Sequence, residues 1–197
     1  MNYQRLLCRI VFVNLILCFH PLCAMADKSF AGGYGGGELT YGYTHAKFGA
    51  NAYKAMSLGM GGYLGYGWLK DIAYYGIEGG FGYDAFSKKK GGTHLKQPWQ
   101  GSFSLRLGRI LRSYFLPFLR LGVSHDAWVL RPVCQQTDHF TSMMALLGVG
   151  VDVFVADRLS IRSEFNYALS MGLQGSKPQS SKKPIKAGLA MGLSYHF

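Results

Sequence analysis

The sequence predicts an all-β protein, one eight-stranded antiparallel up-and-down transmembrane β-barrel, and three observations carry that prediction. Eight segments alternate with period two between large apolar or aromatic residues and glycine, serine or charge. The connectors between those segments alternate between short and long. The composition, with 27 glycines and only 16% charged residues in a chain of 197, disfavours a disordered polyelectrolyte. It also disfavours a helical bundle, because glycine in a helix interior costs about 1 kcal/mol relative to alanine.

Residues 1–26 read as a secretory signal, with Arg5 as the positive end, an apolar stretch over 10–19, helix-breaking Pro21, and Ala24, Met25 and Ala26 before Asp27. Arg9 and Asn14 interrupt the apolar stretch. Residues 27–197 are then one barrel domain, a length that suits one domain better than two. Beyond Asp27 the longest uninterrupted apolar run is 143–151, too short for a membrane-crossing helix. Three of the four cysteines belong to the leader, so Cys134 is alone in the mature chain and neither an internal disulfide nor a cysteine zinc cluster is expected.

The segments follow in order. Leu39, Tyr41 and Tyr43 oppose Glu38, Thr40, Gly42 and Thr44; Leu58, Met60, Leu64, Tyr66 and Trp68 oppose Ser57, Gly59, Gly61, Tyr63, Gly65 and Gly67. Tyr75, Ile77, Phe81 and Tyr83 oppose Gly76, Glu78, Gly80, Gly82 and Asp84, and Trp99, Phe103, Leu105 and Leu107 oppose Gln100, Ser102, Ser104, Arg106 and Gly108. In the fifth, Phe115, Leu119, Leu121 and Val123 stand against Arg120, Gly122 and Ser124, although Leu116 and Phe118 blur the polar face. The sixth sets Met143, Ala145, Leu147, Val149 and Val151 against Met144, Leu146, Gly148, Gly150 and Asp152. Ile161, Phe165 and Tyr167 oppose Ser160, Arg162, Glu164 and Asn166 in the seventh. The last sets Ala187, Leu189, Met191, Leu193, Tyr195 and Phe197 against Lys186, Gly188, Ala190, Gly192, Ser194 and His196.

Short links near 69–72, 109–113 and 154–158 and long polar ones near 45–55, 86–98, 125–140 and 170–184 give turns at one end and loops at the other, the layout of an outer-membrane barrel. A soluble lipocalin-like barrel would place its apolar residues inside. Here the large residues share a face free of charge until the strand ends, so that face meets lipid.

On this register Glu38, Glu78, Asp152 and Glu164 point inward with Arg106, Arg120, Arg162 and Lys186, four acids against four bases. Slipping by one residue would turn four cationic side chains toward lipid, at about 2 to 4 kcal/mol each near the midplane, which together rivals a domain's whole stability of about 5 to 15 kcal/mol. The expected role of the eight is an internal ion-pair network, with Glu78→Ala or Arg120→Ala lowering thermal stability. An eight-stranded interior is about wide enough for its own side chains, so a wide diffusion pore is not expected.

Little else carries chemistry. His45, His94, His125 and His139 match no metal spacing, and the glycines of 32–37 lack the lysine and helix of a phosphate loop, so no metal, cofactor or nucleic-acid partner is expected. Trp68 and Trp99 near strand ends read as interface anchors. His139 beside Thr141 and Ser142 could pair a base with a hydroxyl nucleophile, but such residues at a barrel rim are usually ordinary loop positions.

The charge is concentrated. With Arg5 and Arg9 removed, nineteen bases face ten acids. The long loops hold Lys47, Lys54, Lys88, Lys89, Lys90, Lys96, Arg131, Lys177, Lys182 and Lys183 against Asp126 and Asp138. An anionic neighbour is expected, and lipopolysaccharide phosphates lie at that height; a host or glycan anion is the rival.

Three stretches carry a family resemblance: LPFLRLGV at 116–123, GVGVDVFVADRLSIRSEFNY at 148–167, and the final GLSYHF. They resemble small outer-membrane β-barrel proteins of Gram-negative bacteria, of the OmpA/OmpX or opacity type. The resemblance implies an outer-membrane location, and it implies that Leu193, Tyr195 and Phe197 form the assembly signal read by the barrel-assembly machinery, with periplasmic chaperones as biogenesis partners. Nothing after Phe197 corresponds to a peptidoglycan-binding domain, and no residues match the catalytic sets of lipid A deacylases, palmitoyltransferases or omptin-type proteases. The function expected is therefore structural and surface-interacting rather than enzymatic, with a narrow porin-like channel, or a lipid-modifying enzyme using His139 and Ser142, as alternatives.

Overall fold

The structure is a computed structural model, and it describes residues 30–48, 51–85, 87–90, 93–111, 113–132, 138–175 and 181–197. The proposed leader, Cys134 and Lys177 lie outside the described residues. For Lys47, Lys88, Lys89, Lys90, Lys182 and Lys183 the backbone alone is described.

The described residues form ten strands: β1 (Gly32–Phe48), β2 (Asn51–Lys70), β3 (Ala73–Asp84), β4 (Ser87–Lys90), β5 (Thr93–Lys96), β6 (Gln100–Arg109), β7 (Phe115–Pro132), β8 (Asp138–Ala156), β9 (Leu159–Gly175) and β10 (Ser181–His196). Eight of them, all but β4 and β5, pair antiparallel with their neighbours, and β1 pairs with β10, so the sheet closes into a ring. Closure removes the edges that hydrocarbon cannot satisfy. Short turns gather at one end: β2 and β3 are joined by Asp71 and Ile72, with Asp71 at φ 55°, a left-handed conformation that a short polar side chain tolerates.

At the other end the strands run on. Residues 45–55 were expected to loop, yet β1 and β2 stay paired to Phe48 opposite Asn51. The connector at 86–98 folds into the β4–β5 hairpin, and β5 pairs with β7 from Thr93 opposite Pro132 to Lys96 opposite Val129. The physical reason is that apolar alternation stops where hydrocarbon stops, while backbone pairing needs no apolar face to continue into water.

The two faces divide as the alternation requires. Leu39, Leu64 and Phe81 are 64%, 69% and 66% exposed on the outside, while Glu78, Arg106 and Arg162 are buried inside. A soluble protein rarely shows apolar surface on this scale. The blurred start of the fifth segment has a cause: Leu116 faces inward and packs with Phe30, Tyr74 and Phe154 into an apolar plug at the short-turn end.

Candidate functional site

The functional surfaces are the lumen and the long-loop rim, and the strand register builds both. Arg106 on β6 stands directly opposite Arg120 on β7, a like-charged cross-strand pair that is unfavourable unless acids intervene. They do. Arg106 Nη2 lies 2.6 Å from Asp152 Oδ2, and Arg120 Nη2 lies 3.2 Å from Glu78 Oε1. Arg162 Nε donates to Asp152 Oδ1 at 3.1 Å and its Nη1 to Glu78 Oε2 at 2.8 Å. Arg120 Nη1 donates to Glu164 Oε1 at 3.4 Å. Glu78, on β3, thus bridges guanidinium groups from three other strands.

Aromatic rings and hydroxyls complete the layer. The Arg106 guanidinium sits 3.8 Å from the Phe118 ring centroid and that of Arg162 sits 4.0 Å from Tyr63, favourable where water is excluded. This is why Phe118 is apolar yet inward. Tyr34 donates its hydroxyl to Glu78 Oε2 at 3.0 Å, and Ser104 accepts from Arg120 Nε at 2.8 Å.

Two of the eight charged residues stand apart. Glu38 faces the lumen but has no ion-pair or hydrogen-bond partner for its buried Oε2 among the described residues. It lines a cavity of about 110 Å³ with Thr40, Thr44, Asp84, Gln100 and Lys186. Lys186 turns away from the four expected acids to Asp126, at 2.6 Å, and to Asp84, at 4.0 Å. Asp126, grouped with the loops on sequence, is buried inside the barrel. The signal was available, since Asp126 continues the inward parity of Arg120, Gly122 and Ser124. Above it Trp128 stacks on Phe140 with centroids 6.3 Å apart, and the Lys186 ammonium lies 5.6 Å from the Trp128 ring.

Leu193, Tyr195 and Phe197 are all exposed on the outer wall. The Phe197 N–H donates to the Gly33 carbonyl at 2.9 Å, tying the last residue to the first strand. Of the basic rim, Lys54 and Lys96 are exposed, and Lys47, Lys88, Lys89, Lys90, Lys182 and Lys183 fall on strand extensions beyond the apolar belt. His139 is exposed, whereas Ser142 is buried and hydrogen-bonded to Ser170 at 2.9 Å. The two stand on opposite faces of β8, so they do not form a base and nucleophile pair.

Comparison with known proteins agrees with this geometry. The model of the family described as outer membrane protein beta-barrel domain matches residues 12–197. The 25 kDa outer-membrane immunogenic protein of Brucella canis is 31% identical over 148 residues, 75% of this chain and 68% of that protein. A 22 kDa outer membrane protein of Rhizobium leguminosarum bv. viciae is 31% identical over 143 residues, 71% of this chain and 64% of that protein. Among solved structures, the attachment invasion locus protein Ail of Yersinia pestis, crystallised with the heparin analogue sucrose octasulfate, superposes with TM-score 0.56 at 14% identity, covering 84% of this chain and 99% of Ail. Neisserial surface protein A gives TM-score 0.55 at 14% identity, over 85% of this chain and 98% of its own.

Proposed function

This chain belongs to the outer membrane protein beta-barrel domain family, and on that premise we propose that it is a structural surface barrel whose basic long-loop end contacts the phosphates of lipopolysaccharide. It is an outer-membrane protein, with lipid around its apolar belt. The observation that carries the reading is the separation of charge: the bases within the membrane span are matched by buried acids, while the rim holds Lys54, Lys96 and the Lys88 to Lys90 run on strand extensions beyond the belt. Cations at that height attract an anionic surface, at about 1 kcal/mol for each one near it.

Residues 1–26 serve as the export leader in this reading, and Leu193, Tyr195 and Phe197 engage the assembly machinery after chaperone escort. A soluble glycan or host anion is the competing ligand for the same rim. The test is binding of the refolded protein to lipopolysaccharide vesicles across a salt series. Neutralising Lys88, Lys89 and Lys90 together is expected to weaken binding at low salt, with the difference shrinking as the Debye length falls from about 10 Å at 0.1 M to about 3 Å at 1 M. Binding that ignores both salt and these substitutions leaves a purely structural role.

A further inference from the structure

The short-turn end carries bases of its own, and the register gathers two of them on one wall. Lys70 on β2 pairs with Ala73 on β3, and Ala73 pairs with Arg109 on β6, so the three stand in one cross-strand row. Lys70 and Arg109 are exposed and continue the outward parity of Trp68 and Leu107. Neighbouring strands lie about 4.8 Å apart, which puts the two bases about 10 Å apart with the small side chain of Ala73 between them. Side chains as long as lysine and arginine can converge over that gap.

One step further into the membrane, Trp68, Tyr75 and Leu107 form the next outward row, and all three are exposed. Tryptophan and tyrosine mark the depth at which hydrocarbon gives way to headgroups. The Lys70 and Arg109 row lies two residues, about 7 Å, closer to the turns and so falls among the headgroups. Neither base has a hydrogen-bond or ion-pair partner among the described residues. Asp71, the acid next in sequence, is exposed on the turn beyond the row. Arg158, across the ring at the same end, differs: its Nη1 donates to the Tyr195 hydroxyl at 3.4 Å, and Asp157 precedes it.

Two cations without a protein partner, set just outside an aromatic row, suit a phosphate whose acyl chains lie against that row. Short turns of outer-membrane barrels face the periplasm, where the leaflet is built of glycerophospholipid. We propose that the outer wall of β2, β3 and β6 at the short-turn end is a seat for one anionic glycerophospholipid of the periplasmic leaflet. Its phosphate is held between Lys70 and Arg109 over Ala73, and its acyl chains lie against Trp68, Tyr75 and Leu107. The seat is at the opposite end of the barrel from the lipopolysaccharide contact and does not depend on it.

Trp68 supplies the readout. Of the three tryptophans, Trp128 is buried and Trp99 is exposed near the long-loop end, so a W99F chain leaves Trp68 as the lipid-facing fluorophore. The full mature chain carrying W99F is refolded into phosphatidylcholine bilayers, and quenching by brominated phosphatidylglycerol is compared with quenching by brominated phosphatidylcholine. The expected preference for phosphatidylglycerol is about tenfold at low salt, falling as salt is raised. K70S and R109S should each reduce that preference about threefold or more, whereas R158S, an equal charge change at the same end, should leave it within about 1.5-fold. The charge-keeping variant K70R/R109K should retain the preference, and heat-modifiable mobility checks that each variant folds. Absence of any preference in the W99F chain overturns the seat. Equal losses in all three serine variants also overturn it, because the attraction then belongs to the whole end. So does loss of the preference on adding inorganic phosphate at constant ionic strength, since the bases then take a soluble anion.

Discussion

Glu78 and Glu38 are both lumen carboxylates, and their surroundings set opposite expectations for the same substitution. Glu78 lies 2.8 Å from Arg162 and 3.2 Å from Arg120, so Glu78→Ala leaves buried guanidinium groups short of a partner, at a cost of about 3 to 5 kcal/mol. Glu38 has no such partner among the described residues, so Glu38→Gln removes a desolvated charge and should leave stability unchanged or raised. Gel-shift melting of the two variants checks the contrast; equal destabilisation would mean that Glu38 is part of the network. Glycine matters at this scale too. A Cβ at Gly65 would run into the Tyr34 ring and lie 2.7 Å from the Ile77 carbonyl. Gly65→Ala is therefore expected to cost about 1 to 3 kcal/mol by overpacking, visible as a lower melting temperature.

At the scale of the element, β10 does two jobs on two faces. Its inner positions Gly188, Ala190 and Gly192 are small, which leaves room for Tyr63 near Gly192 and for the cavity beside Glu38. Its outer positions Leu193 and Tyr195 join the apolar belt, and Phe197 closes the seam against Gly33. Deleting Phe197 removes the final rung and one lipid-facing ring. The expected outcome is slower refolding into lipid and less protein in the outer membrane, followed by heat-modifiable mobility over time; refolding at the native rate would place the assembly signal elsewhere. The β4–β5 hairpin shows the opposite economy, since it extends the wall of β7 without any apolar alternation and so could not be read from the hydrophobic pattern.

For the whole molecule, the lumen is filled in layers: the Phe30, Tyr74, Leu116 and Phe154 plug, the arginine and carboxylate layer, the cavity of about 110 Å³, and the Trp128 and Phe140 stack. Among the described residues these side chains fill the lumen, as expected of an eight-stranded barrel. Planar-bilayer recordings are expected to show no reproducible conductance, and a steady channel in the native chain would require the plug or the stack to move.

Much of this was legible from residues alone. Period-two alternation, with a heavy penalty for turning arginine toward lipid, specified eight crossings and the face of the residues within them, while leaving the buried Asp126 among the loops, because side-chain parity is a local property of a strand. Which charges meet was not local. Lys186 reaching Asp126, Arg162 joining Asp152 to Glu78, and Glu38 Oε2 left without a hydrogen-bond partner among the described residues depend on stagger around a closed ring, where residues separated by 60 to 84 positions are brought to one height. The length of the strands beyond the belt was likewise decided by backbone pairing in water, which leaves no hydrophobic trace in the sequence.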